Sequence, residues 1–126
     1  MIKSQQMVQT FHETFEIPVE RVPVIPSESI KNLRVKLIAE ELEELAEAFT
    51  ENDLVEVADA LGDILYVVFG SAVACGINVE PIFNEVHRSN MTKVGGHKNE
   101  DGKWIKPAHY ERPNLVPILM AQGWRP

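Results

Sequence analysis

The chain has 126 residues, of which 44% are hydrophobic and 25% charged, and this composition suits one soluble domain over residues 1–126. No stretch is apolar for the roughly 20 residues that a bilayer span needs. Its net charge of −7 argues against a protein that binds nucleic-acid polymers, because such proteins need clustered Lys and Arg. The single cysteine, Cys75, excludes an internal disulfide and predicts a reducing, cytoplasmic location.

The first two predicted elements are helices separated by a proline-rich linker. Apolar residues recur at helical spacing over residues 3–16, which predicts an amphipathic helix. The prolines that then break the chain are Pro18, Pro23 and Pro26. Ser27 or Ser29 can cap a second helix that runs to about Phe49.

Two further helices and a hairpin are predicted after the Asn52-Asp53 turn. The third helix, residues 54–75, is the longest apolar stretch, and Gly76 can end it in the left-handed conformation. A fourth helix is predicted over about 79–93, followed by a small hairpin turn at Asp101-Gly102 and an irregular tail. The predicted fold class is therefore all-α: a four-helix bundle-type domain with a short C-terminal hairpin.

The second helix carries a glutamate-rich run between residues 40 and 47. At about 100° per residue, its apolar positions form one stripe that we expect to be buried: Ile38, Leu42, Leu45 and Phe49. Glu40, Glu43 and Glu47 lie opposite that stripe, and we expect Glu43 and Glu47 to be solvated. Glu41 and Glu44 lie between the two sectors, so their position singles out this pair.

The third helix carries three acids on one stripe of an otherwise apolar surface. Glu56 and Asp59 lie within roughly 40° of Asp63 on the helical wheel. A helix that is apolar nearly all round is expected to be buried, and buried acids are costly without a partner. No Lys or Arg occurs between Lys36 and Arg88, so a divalent cation is the natural counter-charge. Hard carboxylate ligands suit Mg²⁺, or Mn²⁺ as an alternative.

Glu40-Glu41-x-x-Glu44 followed by Glu56-x-x-Asp59 resembles the motif of the all-α nucleoside triphosphate pyrophosphohydrolases. That superfamily includes MazG, the dimeric dUTPases and phosphoribosyl-ATP pyrophosphohydrolase. The run from His87 to Lys93 looks like the MazG-like, phosphoribosyl-ATP pyrophosphohydrolase-like branch. Leu61-Gly62-Asp63 also looks like the stretch that carries the motif's aspartate in MazG itself, but the glutamate of that alternative register would stand at Ala60.

The resemblance implies an enzyme that cleaves a nucleoside triphosphate into a monophosphate and pyrophosphate. Its implied metal ligands are Glu40, Glu41, Glu44, Glu56, Asp59 and Asp63. Asp63 is either a direct ligand or a group that orients one. Glu41 or Glu44 is implied as the general base, or simply as a ligand.

The substrate contacts predicted outside the acids come from cationic and amide side chains. These are Lys36, Arg88, Asn90 and Lys93, and Arg34 is a further plausible phosphate ligand. His12 and His87 are expected to be surface or packing residues, and Phe11 and Phe15 core residues.

Two helices with an acidic seam cannot enclose a nucleotide alone, so we expect a homodimer or homotetramer. The main alternative is a non-catalytic helical module for dimerisation or regulation, with the acids as surface features. A di-iron carboxylate bundle is disfavoured, because neither His12 nor His87 follows a glutamate at the required spacing.

Overall fold

A computed structural model describes all residues, 1–126. The elements are α1 (Lys3–Thr14), α2 (Glu28–Thr50), α3 (Leu54–Ala74), α4 (Val79–Met91), β1 (His97–Lys98), β2 (Trp104–Ile105) and α5 (Val116–Ala121). The predicted all-α class with a short C-terminal hairpin is confirmed. The tail predicted to be irregular contains α5, which starts with Pro117 in its first turn, where proline's missing N–H breaks no helical hydrogen bond.

Local side-chain and glycine chemistry sets the helix boundaries. Asp53 caps α3, because its side chain accepts a hydrogen bond from the Glu56 backbone N–H (3.1 Å). Asn78 caps α4 in the same way through the Glu80 N–H. Gly76 has a φ of 70° between them, as predicted, and a Cβ there would collide with the carbonyl of Val22.

The two side-chain amides of Gln5 and Gln122 fix the turn between α3 and α4. Gln5 donates to the carbonyl of Ile77 (2.6 Å) and accepts from the N–H of Val79 (3.0 Å). Gln122 accepts from the N–H of Asn78 (2.8 Å) and donates to its carbonyl (3.0 Å). The N-terminal helix and the tail therefore both hold this turn, each through an amide that donates one hydrogen bond and accepts one.

Helices α1 and α2 both pack on α3, and a buried arginine lies at their junction. The Nε of Arg34 donates to Ser71 Oγ (3.2 Å) and its Nη2 donates to the Val67 carbonyl (3.0 Å). Arg34 is only 9% exposed and forms no ion pair with any carboxylate of the chain. It is therefore a structural cation inside the fold, and the prediction that it contacts phosphate is wrong.

His12 completes this junction from α1. The ring is 2% exposed, and its Nδ1 donates to the Pro18 carbonyl (3.1 Å), which leaves Nε2 without a proton in the neutral ring. Burial lowers the pKa of His12, and the charge of Arg34 lowers it further. The ring is thus neutral and serves packing, in agreement with the prediction.

The apolar stripes predicted to be buried are largely exposed within one chain. Leu42 is 59% and Phe49 60% exposed on α2, and the apolar positions of α3 behave alike: Leu54, Leu61, Leu65 and Val68. The aromatic side chains of α1 are also less buried than expected, since Phe11 lies at the surface against Tyr66, with ring centroids 5.6 Å apart. A single chain has too few helices to cover both faces of its α2–α3 hairpin.

Helix α3 also corrects an expectation about membranes. It has 21 residues and a stretch with a mean hydropathy of 1.6, so by length and composition alone it could cross a bilayer. The same stretch carries acidic side chains, and each acid at a bilayer centre costs about 2.5–3.5 kcal/mol. We therefore attribute its apolar surface to protein packing.

The close approach of α2 to α3 predicts opposite effects for two alanine substitutions in one helix. A Cβ at Gly70 would overlap the guanidinium of Arg34, whereas a Cβ at Gly62 would meet nothing within 4 Å. We expect Gly70→Ala to lower the free energy of unfolding by about 1–3 kcal/mol through overpacking. Gly62→Ala should leave it unchanged or raise it by up to about 1 kcal/mol, because alanine favours the helix. Urea denaturation measures both, and equal effects of the two substitutions would contradict this account of Gly70.

Candidate metal centre

The residues of α2 that face α3 recur every seven positions. Arg34 and Ala48 are its two buried residues, and Glu41 lies midway between them on the same face. The chain reverses at residues 51–53, so α3 runs antiparallel to α2. Arg34 lies against Gly70, and Glu41 therefore meets Asp63, which is seven residues before Gly70 on α3.

Three carboxylates converge at this point in the seam. Glu41, Glu44 and Asp63 each place one oxygen so that all three oxygens lie within 4.8 Å of one another. The Oε2 atom of Glu41 is buried and has no hydrogen-bond partner. Buried polar atoms are normally satisfied, so this oxygen is suited to accept a cation or a donor brought by a ligand.

Their mutual proximity changes the protonation of the group. Burial raises the pKa of Glu41 to about 7, and the nearby carboxylates of Glu44, Asp63 and Asp59 add to the shift. Burial also raises the pKa of Asp63, with Asp59 and Glu44 contributing. Burial is the larger cause of both shifts, and the neighbouring like charges, which have no counter-charge beside them, add to it.

A second acidic concavity adjoins the first. It has a volume of about 430 Å³ and is lined mainly by carboxylates: Glu44, Glu47, Glu51, Glu56 and Asp59, together with Ala48 and Ala60. Glu44 belongs to both groups, so the two acidic sites are continuous. Glu47, predicted to be solvated, lines this groove, and Glu51, on the turn after α2, was missed because it follows the motif.

The donor set fits hard divalent cations. All the ligands available are carboxylate oxygens, and no Lys or Arg shares the cluster or the groove. The single chain offers three close oxygens at the first group, and water or phosphate oxygens would complete an octahedral shell. Asp59 and Glu56 stand beside Glu44, where a second cation would share that residue with the first.

Glu40 and Lys36 lie apart from this centre. Both are exposed, and the Lys36 Nζ lies 4.0 Å from Glu40 Oε1. One residue along a helix rotates a side chain by about 100°, so Glu40 is turned away from the seam that holds Glu41. The structure thus does not bring Glu40 among the predicted metal ligands within one chain.

The remaining predicted substrate residues lie at the end of α4. Arg88 pairs with Glu85 (2.7 Å) and with Glu111 (2.9 Å), which ties the tail to the helix. Arg88 and the Asn114 N–H lower the pKa of Glu85 to about 2. The guanidinium of Arg88 is therefore engaged inside the chain, whereas Asn90 and Lys93 line an open concavity beside Trp104.

Two comparisons with known proteins bear on this chain. The sequence model of a family described as phosphoribosyl-ATP pyrophosphohydrolase matches residues 8–90, which contain the whole α2–α3 hairpin. An uncharacterized protein of Acanthamoeba polyphaga mimivirus is 44% identical over 79 residues, which are 60% of this chain and 32% of that protein. The chain thus spans about a third of the length of this relative.

The raised pKa of Glu41 predicts an unusual dependence of stability on pH without metal. The folded state holds this proton more tightly than the unfolded state, so the free energy of unfolding should fall as pH rises from 4.5 to about 7. Glu41→Gln should flatten this decline, because it removes the titrating group. Urea unfolding in a chelator, repeated across this range, measures it. The control Glu43→Gln alters an exposed neighbour and should keep the slope; an unchanged slope in Glu41→Gln would refute the assignment.

Proposed function

The chain belongs to the phosphoribosyl-ATP pyrophosphohydrolase family, and from this premise we propose that it is a metal-dependent nucleoside triphosphate pyrophosphohydrolase. It would release pyrophosphate and a nucleoside monophosphate. The observation that carries this proposal is the convergence of Glu41, Glu44 and Asp63 around an unpartnered buried oxygen.

The acidic residues divide into two neighbouring ligand groups. Glu41, Glu44 and Asp63 would hold one Mg²⁺, or Mn²⁺, and Glu44, Glu56 and Asp59 would hold a second. Bound cations of this kind neutralise phosphate charge and lower the pKa of an attacking water. Asp63 is thus proposed as a direct ligand that adds to Glu56-x-x-Asp59, the register that Ala60 favours.

Glu41 is our candidate for the general base. A cation bound by one oxygen of Glu41 would lower the pKa of this carboxyl below its metal-free value of about 7, so Glu41 would be ionised at neutral pH. The other carboxylate oxygen would then be able to accept the proton of a water. As the water oxygen bonds to phosphorus, the proton would pass to Glu41 and the bond to the bridging oxygen would break, which frees pyrophosphate.

The nucleotide itself would be held by groups outside the acid seam. Asn90 offers an amide that can form hydrogen bonds to a base or sugar, and Lys93 offers an ammonium for phosphate. Arg88 would not bind the nucleotide itself but would help to position the chain around it, because its ion pairs with Glu85 and Glu111 anchor the tail. Which base and sugar are preferred is a question for a substrate screen.

We also propose that a second copy of the chain covers the exposed apolar stripes, giving a homodimer or homotetramer. On α3 the exposed positions Leu54, Leu61, Leu65 and Val68 follow each other at seven-, four- and three-residue intervals. That is the spacing of helices that pack side by side in a bundle. Two hairpins packed in this way would form a four-helix bundle with the acid seams inside the assembly.

Removing one carboxylate tests the catalytic proposal. We expect Glu41→Gln and Asp63→Asn each to lower pyrophosphate release by more than about a hundredfold, because each removes a ligand from the cluster. Glu43→Gln, on the exposed face of the same helix, should keep the wild-type rate. The assay is a pyrophosphate-release screen over nucleoside triphosphates with Mg²⁺ and with Mn²⁺.

The same assay separates the enzyme from a purely structural helical module. A module would keep its assembly in Asp59→Asn and would have no hydrolysis to lose. The enzyme should keep its assembly and lose most of its activity. No release from any triphosphate by the wild-type chain, together with no Mn²⁺ binding by calorimetry, would refute the catalytic proposal.

A charge placed in the α3 stripe tests the assembly. Leu65 is 57% exposed, so Leu65→Asp is tolerable in a lone chain but would bury a carboxylate in an interface. We expect the wild-type chain to scatter light as a multiple of 14.2 kDa and Leu65→Asp as a single chain. Ile25→Asp, in the exposed linker, should leave the assembly intact. A wild-type protein that is active as a monomer would contradict the proposed assembly.

A further inference from the structure

A lysine-rich segment, which also contains Glu100 and Asp101, follows the acidic part of the chain. Residues 37–87 contain twelve Asp and Glu and no Lys or Arg. Four lysines then follow within residues 93–106, namely Lys93, Lys98, Lys103 and Lys106. None of them lies within ion-pair distance of a carboxylate, whereas Lys31 and Lys36 on α2 both do.

Three of these lysines line one concavity around the C-terminal hairpin. It has a volume of about 330 Å³, its cationic walls are Lys93, Lys103 and Lys106, and the side chains of Trp104 and Tyr110 complete it. No carboxylate lines it. The Nζ atoms of Lys93 and Lys106 lie 5.7 and 4.8 Å from the centre of the Tyr110 ring, so the aromatic face partly holds both ammonium groups.

Hydrogen bonds to the end of α4 fix the aromatic walls. The indole N–H of Trp104 donates to the Lys93 carbonyl (2.8 Å), and His109 Nε2 donates to the Val94 carbonyl (2.7 Å). The Ser89 hydroxyl, which is buried, bonds to the Tyr110 hydroxyl (3.2 Å). The hairpin is therefore docked on α4, and the lysines extend from a fixed support.

Trp104 also borders a second concavity, on the side of α4. That space has a volume of about 440 Å³ and is lined by Asn90, Met91, Lys93 and Val94 as well as the indole, which is 42% exposed. An exposed aromatic surface beside an amide suits a planar base that stacks and forms hydrogen bonds. Clustered ammonium groups without counter-charge suit phosphate.

We propose that this lysine–tryptophan site, made of Lys93, Lys103, Trp104, Lys106 and Tyr110, binds one nucleoside phosphate. Its phosphates would meet the three lysines, and its base would lie against Trp104 beside Asn90. The choice of a nucleotide as the ligand rests on the proposed function, while the anion and aromatic chemistry rests on the concavity alone. The matched family region ends at residue 90, so all five residues of this site lie beyond it.

A single nucleotide fits this site better than a nucleic-acid polymer. The cationic concavity of about 330 Å³ is local and is not part of a long basic groove. The rest of the chain is strongly acidic, which would repel a continuous phosphate backbone. Binding of a nucleic-acid polymer in place of a single nucleotide would therefore overturn the proposal.

Binding measured without metal isolates this site from the acid seam. In a chelating buffer the carboxylates repel a polyphosphate, so binding of ATP, dUTP or pyrophosphate reports on the lysines. We expect calorimetry to detect binding that weakens as salt is added. The double variant Lys103→Ala/Lys106→Ala should bind about tenfold more weakly or worse, because each lost ammonium weakens phosphate contact. Lys98→Ala, a hairpin lysine outside the concavity, is the matched control and should bind as the wild type does.

Fluorescence tests the stacking part of the proposal. With Trp124→Phe as background, Trp104 is the only tryptophan, and nucleotides should quench it while pyrophosphate quenches it far less. Wild-type levels of nucleotide binding in the double variant would overturn the proposal. So would an absence of binding by the wild type, or binding of single-stranded DNA but of no mononucleotide.

The same measurements separate this site from catalysis. Glu41→Gln should bind nucleotide without metal as the wild type does, since it leaves the lysines unchanged. If the wild-type chain releases no pyrophosphate with Mg²⁺ but still binds nucleotide through Lys103 and Lys106, the proposed function fails and this inference stands. If pyrophosphate release is normal and the substitutions at Lys103 and Lys106 do not change metal-free binding, this inference fails and the proposed function stands.

Discussion

The buried guanidinium of Arg34 sets the register of the α2–α3 hairpin, and the acidic centre depends on that register. The group occupies space that only Gly70 leaves open, and it uses Ser71 and a carbonyl of α3 as acceptors. A buried cation held by such acceptors cannot slide along the helix without losing them. On α2, Glu41 lies seven residues after Arg34 on the same face of the helix. On α3, Asp63 lies seven residues before Gly70. The carboxylates meet because the arginine is held in place two turns away.

This arrangement places Arg34, Glu41 and the small Ala48 at the contact of α2 with α3 and leaves large apolar side chains outside. A lone chain with this pattern leaves Leu42 and Phe49 exposed, together with the stripe of α3. Apolar surface of that extent calls for a partner, and a second copy offers the same surface in return. The acid seam and the exposed apolar stripes thus have one structural origin, which is the face that α2 turns toward α3.

Charge along the chain is divided between two regions with different chemistry. Burial and the neighbouring carboxylates raise the pKa of Glu41 and of Asp63 in the seam, which is the state that a divalent cation would relieve. The lysines around Trp104 have no carboxylate partner and suit phosphate. A nucleotide hydrolase needs one region that binds metal and one that binds phosphate. The net charge of −7 is a sum over the whole chain and reveals neither region.

The sequence by itself determined the first four helices, the caps at Asp53 and Asn78, the turn at Gly76 and the small hairpin, because these depend on contacts between near neighbours. It also singled out Glu41, Glu44 and Asp63, since the acidic pattern is local. Only the tertiary structure decided which face of α2 lies inside. Helical periodicity separates apolar from polar faces but carries no information on what covers each face. The apolar stripe of α2 was therefore expected to be buried, Arg34 to be a plausible phosphate ligand and Glu40 a metal ligand, until the packing of α2 on α3 placed all three.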